Sequence, residues 1–209
     1  MSDTGNNAVV WKTPQWQSLP ALPGAQLRLA LDVLDRPADL LAQLQREIPW
    51  EQHRLRLFGR EIPAPRLSCW VGDAEAVYTY SRVRFEPRPW SPLLSALRCG
   101  IAEMAGADFN SVLCNLYRNG NDAMGWHSDD EAELGPRPVI ASLSLGAPRR
   151  FRLRHKRDAD ARLEIELPSG SLLLMGGDTQ RHYRHDLPRA LRVQLPRLNL
   201  TFRQIHASA

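Results

Sequence analysis

The chain has 209 residues and a mass of 23.7 kDa, with 43% hydrophobic and 24% charged residues, which suffices for one well-cored domain with an N-terminal extension. Its net charge of +4 and pI of about 9.3 permit an anionic partner without requiring one. The three cysteines lie far apart, and there is neither a signal-peptide pattern nor a long apolar run. These features argue against a disulfide framework, a thiolate zinc site, export and a membrane span, so we expect a cytoplasmic protein.

The first half of the chain predicts one strand and two helices. Residues 1–24 are polar and punctuated by proline, which predicts a leader that is flexible or ordered only on contact. The segment AQLRLALDVL alternates apolar and polar positions and predicts a strand. Apolar residues at helical spacing predict a helix from Pro37 to Pro49, and a second helix with Ser91 as N-cap and Pro92 in its first turn.

Beyond residue 110 the apolar period changes to two, which predicts short strands separated by turns. Helices followed by short strands are typical of an α+β domain whose antiparallel strands form a sandwich or a rolled barrel. The predicted strands are Ser111 to Tyr117, Ile140 to Leu145, Arg150 to Arg154, Leu163 to Leu167, Ser171 to Met175, Leu191 to Leu195 and Leu198 to Ile205.

One of these strands, in the segment RRFRLRHKR, is strongly basic. Phe151 and Leu153 would share one face, and Arg150, Arg152 and Arg154 the other. Such a ribbon either follows the backbone of a polyanion or is a solvated sheet edge protected by its charge.

The segment LNLTFR near the C-terminus predicts a strand with one apolar and one polar face. Its leucines and phenylalanine point one way, while Asn199 and Arg203 point the other way together with Arg197. If the apolar face packs against the helices, two guanidiniums lie in the interior and need an anion to offset their desolvation. An acidic residue of the chain or a dicarboxylate ligand would serve. Asn115 and Tyr117 also share a face and can hydrogen-bond a carboxylate.

The stretch GWHSDDE places His127 and Asp129 two positions apart, so an extended segment would bring both onto one side. A firm metal site needs a third ligand, for which His182 and His185 are the candidates. Two histidines and one carboxylate on one face of Fe(II) leave three positions for co-substrate and oxygen. The alternative is a solvated acidic turn. Trp126 is interpreted as a core residue.

Five segments of the second half follow one another in a specific order: NLYRNGNDAMGWHSDDE at 115–131, ASLSLGAPRRFRLRHK at 141–156, GSLLLMGG at 170–177, HYRHDLP at 182–188 and RLNLTFR at 197–203. Together they resemble the AlkB-like iron(II)- and 2-oxoglutarate-dependent dioxygenases, especially the nucleic-acid demethylases. A weaker resemblance covers LFGREIPAPRLSCWVGD at 57–73 and VYTYS at 77–81.

The resemblance implies an α+β fold in which a double-stranded β-helix, or jelly roll, forms the core. This core would span about residues 110–206. N-terminal helices and a nucleotide-recognition lid at about 57–90 would complete a single domain at 25–209, after the leader at 1–24.

The resemblance also implies roles for the candidate site residues. His127, Asp129 and His185 would be the iron ligands, with His182 outside the ligand set. Asp186 follows the distal histidine where relatives commonly carry a small residue, which bears on how His185 is oriented. The residues that would hold 2-oxoglutarate are Arg197 and Arg203, helped by Asn115, Tyr117 and Asn199.

Further residues are implied in binding a base that has left its stack. Tyr78 and Tyr80 match the aromatic lid position, with core packing as the alternative. Asp130 and Glu131 would accept hydrogen bonds from the exocyclic amine of a cationic methylated base, although a solvated turn also explains Asp130. Phe58 resembles the wedge that fills the gap in a duplex, and a buried phenylalanine is the alternative.

The expected activity, carried by the resemblance, is oxidative demethylation of N-alkylated bases such as 1-methyladenine and 3-methylcytosine in DNA. It would use Fe(II), 2-oxoglutarate and O2, and would release formaldehyde, succinate and CO2. The alternatives are an RNA or protein dioxygenase of the same fold and a catalytically silent nucleic-acid-binding relative. We expect a monomer that binds nucleic acid and no membrane.

Overall fold

The computed structural model describes residues 9–57, 60–80 and 83–206, with the side chains of residues 55–57, 60, 78–80 and 83–85 outside the described part. Its helices are α1 Pro37–Glu47, α2 Pro92–Ala105 and the short α3 Thr179–His182, with a 3₁₀ turn at Ala132–Leu134. Its strands are β1 Trp16–Gln17, β2 Ala25–Ala30, β3 Arg54–Leu57, β4 Arg60–Pro63, β5 Leu67–Gly72, β6 Tyr78–Tyr80, β7 Val83–Phe85, β8 Ser111–Tyr117, β9 Met124–His127, β10 Ile140–Gly146, β11 Arg149–His155, β12 Arg162–Leu167, β13 Ser171–Gly177, β14 Tyr183–Leu187 and β15 Arg197–Arg203. Within the described ranges, no helix is both long and apolar enough to cross a bilayer.

The two long helices begin and end at residues that the sequence marks. The fixed φ of Pro37 suits the first turn of α1, and Pro49 prevents the helix from continuing. At the start of α2 the Ser91 hydroxyl accepts a hydrogen bond from the Leu94 amide at 3.2 Å. The helix ends at Gly106, whose φ of 64° is left-handed and therefore favours glycine.

The strands form two sheets whose neighbours are antiparallel, an arrangement consistent with a jelly-roll core. The larger sheet has the order β1-β2-β13-β10-β15-β8-β5, and the smaller sheet has the order β12-β11-β14-β9. An apolar cluster that includes Leu153 from the smaller sheet and Leu173 from the larger sheet lies between them. Two further hairpins, β3–β4 and β6–β7, stand apart from both sheets.

Strand β15 separates its apolar and polar side chains as predicted. Leu198, Leu200 and Phe202 are fully buried in one cluster with α1 and α2. The alternate side chains are buried as well, although they are polar or charged, and these are Arg197, Asn199, Thr201 and Arg203. The polar row therefore lies in the interior of the protein.

The segment predicted as a leader is described from residue 9, and there it is bound to the domain. The Lys12 amide donates to the Val33 carbonyl at 2.9 Å, and Trp16 pairs with Ala30 as part of β1. Trp11 packs so closely on α2 that a Cβ at Gly100 would lie 2.2 Å from the indole nitrogen. Although the leader is mostly polar, the apolar indole rings of Trp11 and Trp16 bind it to the domain.

The strand predicted at Leu191 to Leu195 is wrong. Both end residues are exposed, at 65% and 70%. The backbone instead forms a turn on the loop at Gly120, whose amide donates to the Val193 carbonyl at 2.7 Å. A Cβ at Gly120 would lie 1.8 Å from the Ala190 carbonyl oxygen, so the close approach requires glycine. Apolar alternation over five residues does not specify a strand when no partner strand is adjacent.

Two expectations about the basic strand and its neighbours are also corrected. Strand β11 lies between β12 and β14, so it is an interior strand and not a protected sheet edge. Trp126 is only partly buried, because its ring lies on the outer face of the smaller sheet beneath the guanidiniums of Arg152 and Arg154.

Candidate metal and co-substrate site

Two neighbouring strands of the smaller sheet bring three potential metal ligands together. His127 ends β9 and is directly paired with His185 of β14, with ring centroids 4.2 Å apart. Asp129 follows β9, and one ligand atom from each of the three residues lies within 4.8 Å of the others. The donor set of two imidazoles and one carboxylate suits a ferrous ion. His182 is not in this cluster and packs against His155 instead, with centroids 5.7 Å apart.

A main-chain carbonyl determines which nitrogen of His127 is available. Its Nδ1 lies 2.8 Å from the carbonyl oxygen of Gly125, so Nδ1 carries the proton and donates it. Nε2 then keeps its lone pair and faces Asp129, whose Oδ1 is 3.9 Å away. The ring is therefore held with its free nitrogen toward the cluster, as a metal-binding histidine requires.

The surroundings of the cluster favour the protonation states that a metal needs. Burial, together with the neighbouring His127, lowers the pKa of His185 to about 3, and burial also lowers the pKa of His127. Burial alone would raise the pKa of Asp129, but Arg203 and the two imidazoles outweigh it and hold that pKa well below its usual range. At neutral pH the cluster thus consists of two neutral imidazoles and one carboxylate.

Arg203 donates a hydrogen bond to only one of the two oxygens of the Asp129 carboxylate. Its Nη2 donates to Asp129 Oδ2 at 2.8 Å, and both side chains are at most 5% exposed. The other oxygen, Oδ1, is left facing His127. A charge-assisted bond on one oxygen orients the carboxylate, so that the second oxygen is presented to the metal position.

Gln180 and Lys156 fix the loop that carries Asp129. The Asp129 amide donates to Gln180 Oε1 at 3.0 Å, and the Gln180 side chain is buried on α3. Lys156 Nζ donates to the Gln180 carbonyl and to Asp130 Oδ2, each at 2.9 Å. The loop is therefore held from the end of β11 as well as from α3.

We expect Gln180→Met to weaken metal binding by about 10- to 100-fold, because a lost group behind a ligand typically has that effect. Methionine keeps the length and the apolar contacts of the side chain but removes the acceptor of the Asp129 amide. Mn(II) titration of the purified variant measures the change. Gln194→Met is the control, since Gln194 is exposed and bonds only to the nearby Leu191 carbonyl among described partners. Equal affinity in the two variants would contradict the positioning role of Gln180.

Arg197 is a buried guanidinium without a carboxylate partner among the described side chains. Its Nη2 donates to Ser144 Oγ at 2.8 Å, and it lies 5.4 Å from the centre of the Tyr117 ring. Its buried Nε makes no hydrogen bond to any residue that the structure describes. Burial lowers its pKa to about 10, so it remains charged at neutral pH. A buried cation with an open donor fits the carboxylate of a ligand.

The register of β8 and β15 places the predicted co-substrate residues opposite one another. Tyr117 pairs with Arg197, and Asn115 pairs with Asn199. Arg66, which precedes β5, donates from Nε to Asn115 Oδ1 at 2.9 Å, so the amide turns its NH2 group elsewhere as a donor. The pairing explains how residues about 80 positions apart in the sequence come to line one surface.

Asn199 is bound within the protein. Its Nδ2 donates to Ser142 Oγ at 2.8 Å and to the Leu143 carbonyl at 3.0 Å, while its Oδ1 accepts from the Thr201 hydroxyl at 3.1 Å. These bonds use both N–H groups of the amide. Asn199 therefore braces β10 against β15 beside the predicted co-substrate residues.

Arg149 is a second buried guanidinium near Tyr117 that sequence analysis did not identify. It donates to the carbonyls of Asn119, Asp122 and Pro188, and its charge lies 5.9 Å from the centre of the Tyr117 ring. Burial lowers its pKa. The signal was present in the sequence, since strand parity places residue 149 on the inward face with Phe151.

The structure describes the side chains of only some of the residues predicted to bind the substrate base. Asp130 is exposed and pairs with Lys156 at 2.9 Å, while Glu131 precedes the 3₁₀ turn. Tyr78 and Tyr80 lie on β6, but their side chains are outside the described part, and Phe58 lies outside the described residues altogether. These assignments stay predictions.

Asp186 does not face the metal cluster. It is buried and receives two bonds from Arg152, to Oδ1 at 2.9 Å and to Oδ2 at 2.5 Å. Strand parity explains the placement, because Asp186 alternates with His185 along β14. Asp186 therefore links β14 to β11 and points away from the imidazole cluster.

Comparison with known proteins identifies the family of the chain. The family model described as the 2OG-Fe(II) oxygenase superfamily matches residues 34–203. The chain is 44% identical over 176 residues to the alpha-ketoglutarate-dependent dioxygenase alkB homolog 3 of Homo sapiens, which covers 80% of this chain and 61% of that protein. It is 37% identical over 213 residues to the DNA oxidative demethylase ALKBH2 of Mus musculus, covering 97% and 89% respectively.

A solved structure shares the fold. The structure of OsALKBH1 superposes with a TM-score of 0.63 at 19% identity, and the match covers 91% of this chain and 100% of that chain. The chain spans only about 61% of the length of the alkB homolog 3 proteins that it matches. From a family match across most of its length and these identities, we conclude that this chain belongs to the 2OG-Fe(II) oxygenase superfamily and, within it, to the AlkB-like family.

Proposed function

We propose that the protein is an Fe(II)- and 2-oxoglutarate-dependent dioxygenase that removes N-methyl groups from bases in DNA, such as 1-methyladenine and 3-methylcytosine. In this reaction one oxygen atom of O2 enters succinate as the keto acid loses CO2. The other hydroxylates the methyl carbon, and the adduct breaks to formaldehyde and the restored base. The name of one relative, a DNA oxidative demethylase, supports DNA as the substrate.

The observation that carries the proposal is the combination of the metal cluster with a buried guanidinium that no described carboxylate compensates. His127, Asp129 and His185 supply the donor set for Fe(II). Arg197 supplies a buried positive charge whose Nε has no hydrogen-bond partner within the described part of the chain. Burying such a charge is unfavourable because it is desolvated, so a protein that binds no anionic ligand gains nothing from it.

Different residues of the chain would hold the metal and bind the co-substrate. His127, Asp129 and His185 would hold Fe(II), which when bound supplies oxygen activation coupled to decarboxylation. Arg197 would bind one carboxylate of 2-oxoglutarate, with Asn115 and Tyr117 beside it as hydrogen-bonding groups. Neutral imidazoles keep both ring ligands available near pH 7.

The lid is part of the proposal. Hairpins β3–β4 and β6–β7 lie apart from the two main sheets, and β6 carries two of the positions predicted to contact the base, Tyr78 and Tyr80. Arg66 joins the end of the first hairpin to Asn115 of β8. A segment held at its base by a buried hydrogen bond suits clamping of an extruded nucleotide.

A single oxygenation assay tests the proposal. The protein is loaded anaerobically with Fe(II) and 2-oxoglutarate and then oxygenated with DNA containing 1-methyladenine or 3-methylcytosine, single-stranded or duplex. We expect formaldehyde and succinate in equal amounts, and neither product from His127→Ala.

The same assay separates the rival functions. Turnover confined to methylated RNA or to a peptide would replace DNA as the substrate class. Absence of succinate with every substrate would favour a catalytically silent nucleic-acid binder, and a wild-type rate in the histidine variant would contradict the ligand assignment.

A further inference from the structure

The outer face of the smaller sheet carries three arginines in one row. In the strand register Arg154 of β11 is paired with Arg162 of β12 on one side and with Arg184 of β14 on the other. All three side chains are exposed. Adjacent strands are about 4.8 Å apart, so the row places three positive charges side by side across the sheet. We call these three residues the arginine row.

The neighbouring arginines on the same face have acidic partners, whereas the structure describes none for the arginine row. Arg150 pairs with Glu164 at 3.1 Å, and Arg152 pairs with Asp186. Among the described side chains, no carboxylate forms an ion pair with any member of the arginine row. The positive charge is therefore concentrated at one end of the face, while the other end is neutralised.

Trp126 holds the central arginine of the row in place. The Arg154 guanidinium lies 4.1 Å from the centre of the indole ring, and the Arg152 guanidinium lies 5.0 Å from it. Cation–π contacts at such distances are favourable. They restrict the Arg154 side chain without reducing its charge, so it presents its hydrogen-bond donors to solvent.

The row lies at the end of the sheet that carries the metal-binding loop. Arg184 immediately precedes His185, and Trp126 immediately precedes His127. Two residues beyond Arg154, Lys156 bonds to Asp130 of the loop. The metal ligands face inward and the arginine row faces outward from the same end of the same strands.

Like charges directly opposite on antiparallel strands are destabilising, so the row is unfavourable in the isolated protein. An anion bound across it removes the repulsion. Arginine binds phosphate through two donors at once, and successive phosphates of one strand can engage several arginines of a row together. The spacing and the exposure therefore favour a polymeric phosphate backbone.

We propose that Arg154, Arg162 and Arg184 form a binding surface for the phosphate backbone of the nucleic-acid substrate, outside the pocket that takes the base. This inference rests on the proposed function for the identity of the polymer. The surface reads no base sequence, since contacts to phosphate carry none. It contributes a salt-dependent share of affinity and holds the strand at the end of the sheet that carries the metal-binding loop.

The test measures binding separately from chemistry. A short fluorescein-labelled DNA containing one 1-methyladenine, single-stranded and annealed to its complement, is titrated with the Mn(II)-loaded protein at several salt concentrations. The test variant replaces Arg154, Arg162 and Arg184 together by Gln. Relative to wild type, we expect the slope of log K against log salt to decrease by roughly two to three for the duplex, at about 0.9 for each lost phosphate contact.

Two matched variants separate charge from structure. Arg150→Gln removes an exposed arginine from the same strand and face, but one that Glu164 already compensates, and we expect the wild-type slope. Replacing the three residues of the row by Lys keeps the charge, and we expect most of the slope to return. An unchanged slope in the triple Gln variant, or an equal loss in Arg150→Gln, would overturn the proposal.

The outcome is distinguishable from failure of the proposed function. If the wild-type protein demethylates no oligonucleotide but the triple Gln variant still loses its salt dependence, the arginine row stands as a nucleic-acid surface and the activity is wrong. If the wild-type protein demethylates DNA and the variant binds it as wild type does, the activity stands and the row is wrong.

Discussion

Replacing Asp129 by Asn is expected to abolish metal binding and also to destabilise the metal-free protein by about 3 kcal/mol. The two effects have one origin. Asp129 is both a potential ligand and the buried partner of Arg203, with 2.8 Å between Oδ2 and Nη2. Removing the carboxylate leaves a charged guanidinium in a site that is 4% exposed. Urea unfolding measures the stability, and Mn(II) titration measures the metal affinity.

An exposed ion pair of the same length is the control for this prediction. Lys12 and Asp32 also lie 2.8 Å apart, but their side chains are 42% and 64% exposed. Asp32→Asn should therefore change the free energy of unfolding by no more than about 1 kcal/mol. Combining Asp129→Asn with Arg203→Met should recover stability, because the uncompensated charge is gone, but not metal binding. Retention of wild-type metal affinity in Asp129→Asn would contradict its assignment as a ligand.

Replacing Arg197 by Met is expected to raise stability and to remove co-substrate binding. The guanidinium is buried and has no carboxylate partner among described residues, so an apolar side chain of similar length should stabilise the protein by about 1–3 kcal/mol. Loss of the charged partner should weaken 2-oxoglutarate binding by about 30-fold or more. A substitution that raises stability but lowers ligand binding indicates that the original residue is retained for function.

Two measurements check the prediction for Arg197. Urea unfolding without ligand gives the stability, and the rise in melting temperature on adding 2-oxoglutarate to the Mn(II)-loaded protein reports binding. Arg46→Met, at an exposed position of α1, is the control and should change neither quantity. A destabilised Arg197→Met protein that still binds 2-oxoglutarate as wild type does would assign the guanidinium a structural role.

Some of the site was predictable from periodicity alone. Alternation along LNLTFR placed Arg197 and Arg203 on an interior face, and the structure buries both. The same parity brought His127 and Asp129 to one side, but it left His182 and His185 as equal candidates for the third ligand. Resemblance to the family favoured His185, and the tertiary structure brings that residue into the cluster.

Other features depended on contacts that no local pattern contains. Gln180 reaches the Asp129 amide from a four-residue helix, and Arg66 reaches Asn115 across 49 positions. Neither lies in a periodic segment that would indicate an inward side chain. Leu191 and Leu195 are the opposite case. They alternate with polar residues as in a strand, but both are exposed and no described strand pairs with this segment.

The sequence by itself determined the class of the fold, the two faces of the strand that ends in Arg203, and the residue types available for a metal and a dicarboxylate. Strand parity and helix signals act locally, so they can be read without coordinates. Only the tertiary structure decided which arginines are compensated. Arg150 meets Glu164, Arg203 meets Asp129, and Arg197 meets no described carboxylate. Charge compensation acts over a few ångströms and depends on which strands become neighbours, which residue order along the chain does not reveal.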